Sequence, residues 1–358
     1  MSGQTTEFDK TKARAFLGNM MSIMNGGALS LMCSIGHRTQ LFDTMAGMAP
    51  ATSQEIADAA NLAERPVREW LGAMTAGAII EHDETAGTYH LPPEHSGLLT
   101  RPAGTLNLAN NLQFIAQLGK AEDEVVESFT HGRGVPYSSF ATFQPLMADI
   151  STQRFDTGLL QHTIPLVDMT EALRGGIDMA DIGSGSGHAI NLLAKEFPNS
   201  RFTGFDLSEE GVAKGRAESE AMGNTNTTFV ARDVSQLDSP ANFDFITSFD
   251  AIHDQGHPDL VLRGIHDALR PGGRYLCVEP QASTHLHENM DKAHAPFLYS
   301  VSTMHCMQVS LAQGGEGVGA AWGEQEIRGR LAKAGFEHTE LHANPVDRTN
   351  DYYLSTKG

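Results

Sequence analysis

The chain has 358 residues, enough for two domains of ordinary size. Its 25 Lys and Arg stand against 44 Asp and Glu, a net charge of −19; such a field repels phosphate backbones and argues against a nucleic-acid partner. No uninterrupted apolar run is long enough to cross a bilayer, and residues 1–16 lack the apolar core of a secretory signal, so a cytoplasmic protein with no membrane partner is expected.

From about Lys10 to Thr44, apolar residues recur at helical spacing: Phe16, Met20, Ile23, Met24 and Leu31. Gly26 and Gly27 interrupt the pattern and predict two helices or a bent one. Cys33 lies here; Cys277 and Cys306 are far away, and with no CxxC pair all three read as small buried hydrophobes rather than a disulfide or zinc framework. Thr52 and Glu55 form a capping box that opens a short helix, followed by a turn at Asn61. Pro66 suits the start of a second helix, which runs through Trp70 and Leu71. Two short strands, Ala78–Glu81 and Thr88–Leu91, then flank a turn at 84–87. Helix, turn, helix and hairpin make a winged helix. Its second helix carries Glu64, Arg65, Arg68 and Glu69, a balanced set where DNA contact needs a basic face, so a dimerisation and lid module is expected instead.

Residues from Thr105 to about Met169 read as helical, broken at 131–136. From Asp178 the texture changes to strands alternating with helices. Strands are predicted at Met179–Ile182, Arg201–Phe205, Thr228–Ala231, Phe243–Thr247 and Arg274–Val278. That alternation implies an α/β fold, a mostly parallel sheet covered on both faces.

The strongest motif is DIGSGSG, Asp181 to Gly187, at a strand-to-helix turn. Gly183, Gly185 and Gly187 allow a sharp turn and close backbone approach to a ligand. Taken alone the turn is equally compatible with a dinucleotide site or a structural corner. Two acids at later strand ends sharpen it. Asp206 closes RFTGFDLS, where a carboxylate can accept both ribose hydroxyls of an adenosine. Asp233, in FVARDV, can accept an adenine amino group, and Val234 can donate its backbone N–H to the ring. Open α/β sheets bind ligands at these carboxyl ends.

The order DIGSGSG, FDLS, ARDV, LRPGGRYLCVEP resembles the ordered motifs of class I S-adenosylmethionine-dependent methyltransferases, including the Pro271-Gly272-Gly273 turn before the fifth strand. The resemblance implies a Rossmann-like doubly wound sheet binding S-adenosylmethionine. Asp181 would lie near the methionine part, Asp206 at the ribose and Asp233 at the adenine, with Leu207 and Phe249 completing the cofactor site. VREWLGAMTAGAI, YHLPPEHSGLLT, FDAIHDQGHPD and YSVSTMHCMQVSL are similar to winged-helix methyltransferases of bacteria and some animals. That likeness implies a homodimer acting on a small molecule. The expected domains are 1–104 (winged helix and dimerisation), 105–170 (helical connector and active-site roof) and 171–358 (methyltransferase). A dehydrogenase usually shows GxGxxG, which this loop lacks.

Methyl transfer is an in-line displacement that needs alignment and exclusion of water, and a protic acceptor also needs a base. SFDAIHDQGHPD puts His253 just after the fourth strand. It resembles the His-Asp pair of plant-type small-molecule O-methyltransferases, whose His deprotonates the acceptor hydroxyl. Gln255 stands where those enzymes often have Trp, so a phenol is not implied. His253 is therefore expected as base or as orienting group, the alternative being a His that only orders the loop. His305, in an apolar helical stretch, is either a core residue or part of the acceptor pocket, which Cys306 would also line; Tyr137 and Tyr299 are further candidates there. His285 and His287 read as a solvated loop, and no metal is expected. Oxygen, sulfur and nitrogen acceptors all remain open. So do two other readings: a winged-helix transcription regulator that senses S-adenosylmethionine without turnover, and an inert dimerisation partner.

Overall fold

The computed structural model describes residues 8–358, which fall into two compact units divided between Gln117 and Leu118. Residues 1–7, read above only for composition, lie outside the described residues.

The first unit opens with one continuous helix, Lys10–Arg38, capped by Asp9, whose carboxylate accepts from the Thr11 N–H at 2.8 Å. Of the two expected forms, two separate helices are excluded: the helix runs unbroken through Gly26–Gly27. Two helix glycines cost roughly 1 kcal/mol each, and tertiary contacts further along hold the helix. The Trp70 indole N–H donates to the Met32 carbonyl at 2.8 Å, and Gly36 nests against the rings of Phe42 and Trp70. The helix ends instead at Thr39–Gln40, where Gln40 is left-handed at φ 60°. Phe16, Leu17, Met20, Met21, Ile23 and Met24 along it are exposed.

Thr52 and Glu55 do form a capping box on helix Ser53–Ala59, and helix Glu64–Ala76 follows. The first predicted strand is displaced. Ala78 is left-handed, and the N–H groups of Ile79 and Ile80 both donate to the Met74 carbonyl, so this stretch is the closing turn of the helix. Strand β1 runs Glu81–Asp83 and pairs antiparallel with β2, Thr88–His90; Ala51 bridges Tyr89. In the second helix Arg65 pairs with Glu69 and Arg68 with Glu64, so the acids beside these two arginines meet their charge. Phe42, Ile56, Val67, Trp70, Leu71, Met74 and Ile80 form the core of this winged helix.

The second unit begins with helices Glu122–His131 and Gln144–Gly158, separated by a Gly-rich break at 132–136. Its seven-stranded sheet is built from β3 (Asp178–Ile182), β4 (Arg201–Asp206), β5 (Thr227–Ala231), β6 (Phe243–Phe249), β7 (Leu269–Pro280), β8 (His338–Asn344) and β9 (Asp347–Thr356). The order is β5-β4-β3-β6-β7-β9-β8; β3 to β7 are parallel and the β8–β9 hairpin is antiparallel. Strand β7 starts earlier than predicted, because Pro271–Gly273 is a bulge inside it, fastened by the Gly272 N–H to the Lys357 carbonyl.

Strand residues alternate between two cores, as the pleat demands. Ala180, Ile182, Ile246, Tyr275, Cys277 and Tyr353 face helices Pro258–Ala268 and Gly323–Ala334. Met179, Phe245, Leu276, Val278, Tyr352 and Leu354 face helix His188–Glu196 and the segment 159–173. Both faces are covered, so the open functional surface lies at the strand ends. The order reverses between β3 and β6, which is where doubly wound sheets leave a crevice beyond the carboxyl ends.

Candidate active site

Gly183, Gly185 and Gly187, in the corner after β3, all have left-handed φ, 72°, 55° and 74°. A Cβ at Gly183 would fall 2.5 Å from the Ala251 methyl, and one at Gly187 would fall 2.3 Å from the Phe229 ring. A Cβ at Gly185 would meet nothing within 4 Å. Two of the glycines thus answer to packing, and Gly185 presents backbone to open space. The N–H groups of Gly183 and Ser184 both donate to the Phe205 carbonyl, at 2.8 and 2.9 Å, which holds the corner on β4.

Asp206 closes β4 and accepts from the Gly185 N–H at 2.7 Å and the Ser208 N–H at 2.8 Å. Burial raises its pKa, and these backbone donors oppose the rise. Leu207 beside it is 65% exposed. Asp233 is exposed and accepts from the Ser235 N–H at 2.9 Å, while the Val234 side chain is buried in the core. Asp181 is buried and accepts from the Thr247 hydroxyl at 2.7 Å; burial pushes its pKa up to about 7. Phe249 ends β6 with its ring edge-on to Phe155 at 5.0 Å.

After β6, Asp250 turns the chain through a left-handed conformation and delivers His253 to the interior, 3% exposed. The His253 Nδ1 lies 2.5 Å from Oε2 of Glu279, a fully buried carboxylate on β7. Glu279 also accepts from the Ile252 N–H at 3.0 Å and the Trp322 indole N–H at 3.2 Å. Burial alone would lower the pKa of His253, but Glu279 and then Asp254 outweigh it and hold the imidazole well above its usual value. On its other side, Nε2 is 3.3 Å from Asp254 Oδ1.

Residues 173–335 match the family described as a methyltransferase domain, and residues 27–101 the Rv2258c-like winged HTH domain. The chain carries a class I methyltransferase domain. A fatty-acid O-methyltransferase of Mycolicibacterium smegmatis is 28% identical over 133 residues, 37% of this chain and 46% of that protein. O-methyltransferase ZRP4 of Zea mays is 29% identical over 168 residues, 44% of this chain and 42% of that one. The matched stretches thus span under half of each of these relatives. Human N-acetylserotonin methyltransferase, solved in complex with SAM, superposes with a TM-score of 0.69 at 17% identity, covering 100% of both chains. That last likeness speaks for the fold.

Around the methyltransferase domain's His253 the structure gathers Asp254, Cys306 and His305. Among the described residues, one group of three possible metal-ligating side chains stands within 4.8 Å: His253, Asp254 and Cys306. His305 is 4% exposed, with Nδ1 3.9 Å from Asp254 Oδ2. Tyr137, 46% exposed, packs its ring edge-on to His305 at 5.7 Å. The Tyr299 hydroxyl accepts from Asn289 at 3.0 Å, in a network with Ser283 that does not involve His253. The His285 and His287 rings stack at 5.8 Å on an exposed turn. All three cysteines are buried and free. The sequence reading missed Glu279 and Trp322. A lone Glu inside the apolar run YLCVEP was the available signal, since a buried carboxylate demands a partner. Among the described residues, no helix is long and apolar enough to cross a membrane.

Proposed function

We propose that the chain transfers a methyl group from S-adenosylmethionine to a hydroxyl of a small-molecule acceptor. The observation that carries this reading is the buried His253–Glu279 pair, 2.5 Å apart, at the corner after β6. For the cofactor, Asp206 offers two carboxylate oxygens to the ribose, Asp233 and the Val234 N–H suit the adenine, and Leu207 covers the nucleoside. Asp181, Gly183, Gly185, Gly187 and Phe249 border the methionine end. The open space at Gly185, beside the Asp206 carboxylate, supports the fit. Bound there, S-adenosylmethionine supplies an electrophilic methyl group.

The chain's own work is then proton handling. Glu279 accepts from Nδ1–H, which fixes the tautomer and leaves the Nε2 lone pair for the acceptor hydroxyl. His253 takes that proton as the oxygen attacks, and Glu279 stabilises the imidazolium formed. Burial keeps bulk water from competing as acceptor. A thioether has no proton to lose and would leave this pair idle, so an acidic O–H fits better. The proposed form is a cytoplasmic homodimer joined through the exposed apolar residues of helix Lys10–Arg38. A regulator that senses the cofactor fits less well, because Arg65 and Arg68 are matched by Glu69 and Glu64.

The test is calorimetry with S-adenosylhomocysteine, then methyl transfer from labelled S-adenosylmethionine to a panel of hydroxylated compounds. Cofactor binding is expected, together with transfer that His253→Ala lowers ~10²–10⁴-fold without abolishing cofactor binding. A folded protein that binds no cofactor would sink the reading, and a cofactor-dependent DNA gel shift without transfer would install the regulator.

A further inference from the structure

The His305 imidazole carries one unmatched hydrogen-bonding atom. It is 4% exposed, yet its Nε2 is buried and has no hydrogen-bond partner among the described residues. Leaving such a group unmatched costs about 1–3 kcal/mol, and native proteins rarely do so without a ligand or water to complete it. The ring is enclosed by aromatic side chains: Phe140 at 4.6 Å, Phe143 at 4.7 Å and Tyr137 at 5.7 Å between centroids. It sits in a turn of π-helix, Ser302–Cys306, a local widening that recurs at functional sites. The same turn carries Cys306, whose thiol stands beside His253 and Asp254.

We propose that His305 hydrogen-bonds a second polar group of the acceptor, so that the site selects uncharged hydroxyl compounds with a further hydrogen-bonding substituent near the reacting oxygen. This rests on the reading of His253 as the base. His253 Nε2 and His305 Nδ1 face the two oxygens of the Asp254 carboxylate, at 3.3 and 3.9 Å, so the two imidazoles are neighbours across one side chain. The surrounding charge is negative, from Glu279 and Asp254. Burial lowers the pKa of His305, so that ring is neutral and brings no cation. Even against a protonated His253, Glu279 and Asp254 are two carboxylates to one cation, so a carboxylate acceptor would meet net like charge, and it would arrive already ionised, with no proton for His253 to take. A neutral diol or hydroxy-amide meets neither obstacle. The aromatic rings give its apolar body a surface to pack on.

The experiment uses full-length protein saturated with S-adenosylhomocysteine and titrated calorimetrically with catechol, phenol and benzoate. Catechol is expected to bind about tenfold more tightly than phenol, the factor that one net hydrogen bond supplies. Benzoate is expected to bind more weakly than phenol. His305→Phe keeps the ring among Phe140 and Phe143 and removes both nitrogens; it should bring catechol down to the affinity of phenol. Equal binding of catechol and phenol to the unaltered protein, no binding of either, or a preference for benzoate would each overturn the proposal. Full catechol preference in His305→Phe would do the same. A failure of S-adenosylhomocysteine itself to bind would instead strike the cofactor reading.

Discussion

Arg154, on helix Gln144–Gly158, pairs with Asp250 at 2.7 Å and lies 3.5 Å from Asp347. Asp250 is the left-handed residue of the corner that carries His253, and Asn350 of β9 donates to it as well, at 3.0 Å. One arginine therefore ties helix Gln144–Gly158, the corner that carries His253 and the C-terminal hairpin together. Its Nε is buried without a partner among the described residues, so the pair is held by position rather than by complete satisfaction. Arg154→Ala leaves two acids facing each other with little water. It should lower stability by roughly 2–4 kcal/mol, a little below the ~3–5 kcal/mol of a fully buried pair because both side chains keep some exposure. Chemical denaturation measures this, and a loss under about 0.5 kcal/mol, the level of a surface pair, would remove Arg154 from that role.

Asp206→Ala should weaken cofactor binding by about 1–3 kcal/mol, as expected for hydrogen bonds to a charged group. It also frees the Gly185 N–H that Asp206 now accepts from. Calorimetry with S-adenosylhomocysteine checks it. Unchanged affinity in a folded variant would move the ribose elsewhere.

The raised pKa of His253 predicts the pH course of turnover. Glu279 and Asp254 favour the protonated imidazole, and a base must be neutral. The rate at low substrate should therefore climb with pH through a limb above that of an ordinary histidine. Glu279→Gln removes the leading cause of the rise, so the limb should shift to lower pH while the maximal rate falls. His253→Ala should cost ~10²–10⁴-fold. A limb that stays in place in Glu279→Gln would separate the pair functionally.

Asp181 predicts an effect of the opposite sign on stability. Its pKa is about 7 in the folded protein and 3.8 as an isolated group. The fold keeps this proton to near neutrality, so stability falls as pH rises from about 4 to about 7, by about 1.4 kcal/mol per unit where the full difference acts. Asp181→Asn should thus melt at a higher temperature than the native chain at pH 8 and at nearly the same temperature at pH 4. Equal melting at both pH values would contradict the buried, proton-holding carboxyl.

The exposed face of helix Lys10–Arg38 predicts self-association. Replacing Met20, Ile23 and Met24 together by Lys should convert a homodimer to a monomer in light scattering, because each is exposed and contributes nothing to the described core. A dimer that survives the triple change would place the interface on another surface.

Much of this was readable in the residues, and the failures have physical causes. The strand ends at Ile182, Asp206 and Ala231 were legible because glycines and acids interrupt apolar runs there. The capping box was legible because it is local. The glycine pair at 26–27 misled because propensity yields to packing from Trp70, which is distant in sequence. The strand at 78–80 misled because β-branched residues can also close a helix. Glu279 was hidden by its neighbours: a lone carboxylate in an apolar strand acquires meaning only when folding sets His253 26 residues away against it. The β8–β9 hairpin is polar along much of β8, which masks the alternation of a half-buried strand.

The placement of Glu279 also depends on how β7 and β9 are aligned. In the antiparallel pairing Val278 faces Tyr352, Glu279 faces Asp351 and Pro280 faces Asn350. Adjacent strand residues point to opposite sides of a sheet, so a slip of one residue would swing the carboxylate into the layer of Leu276 and Tyr352 and offer a valine to His253. The partnership is therefore written in the parity of the strand as well as in the identity of the residue. An exposed turn such as that around His285 and His287 is free to lengthen, whereas a single-residue insertion between Tyr275 and Glu279 would disable the proposed pair while leaving every one of its side chains in the sequence.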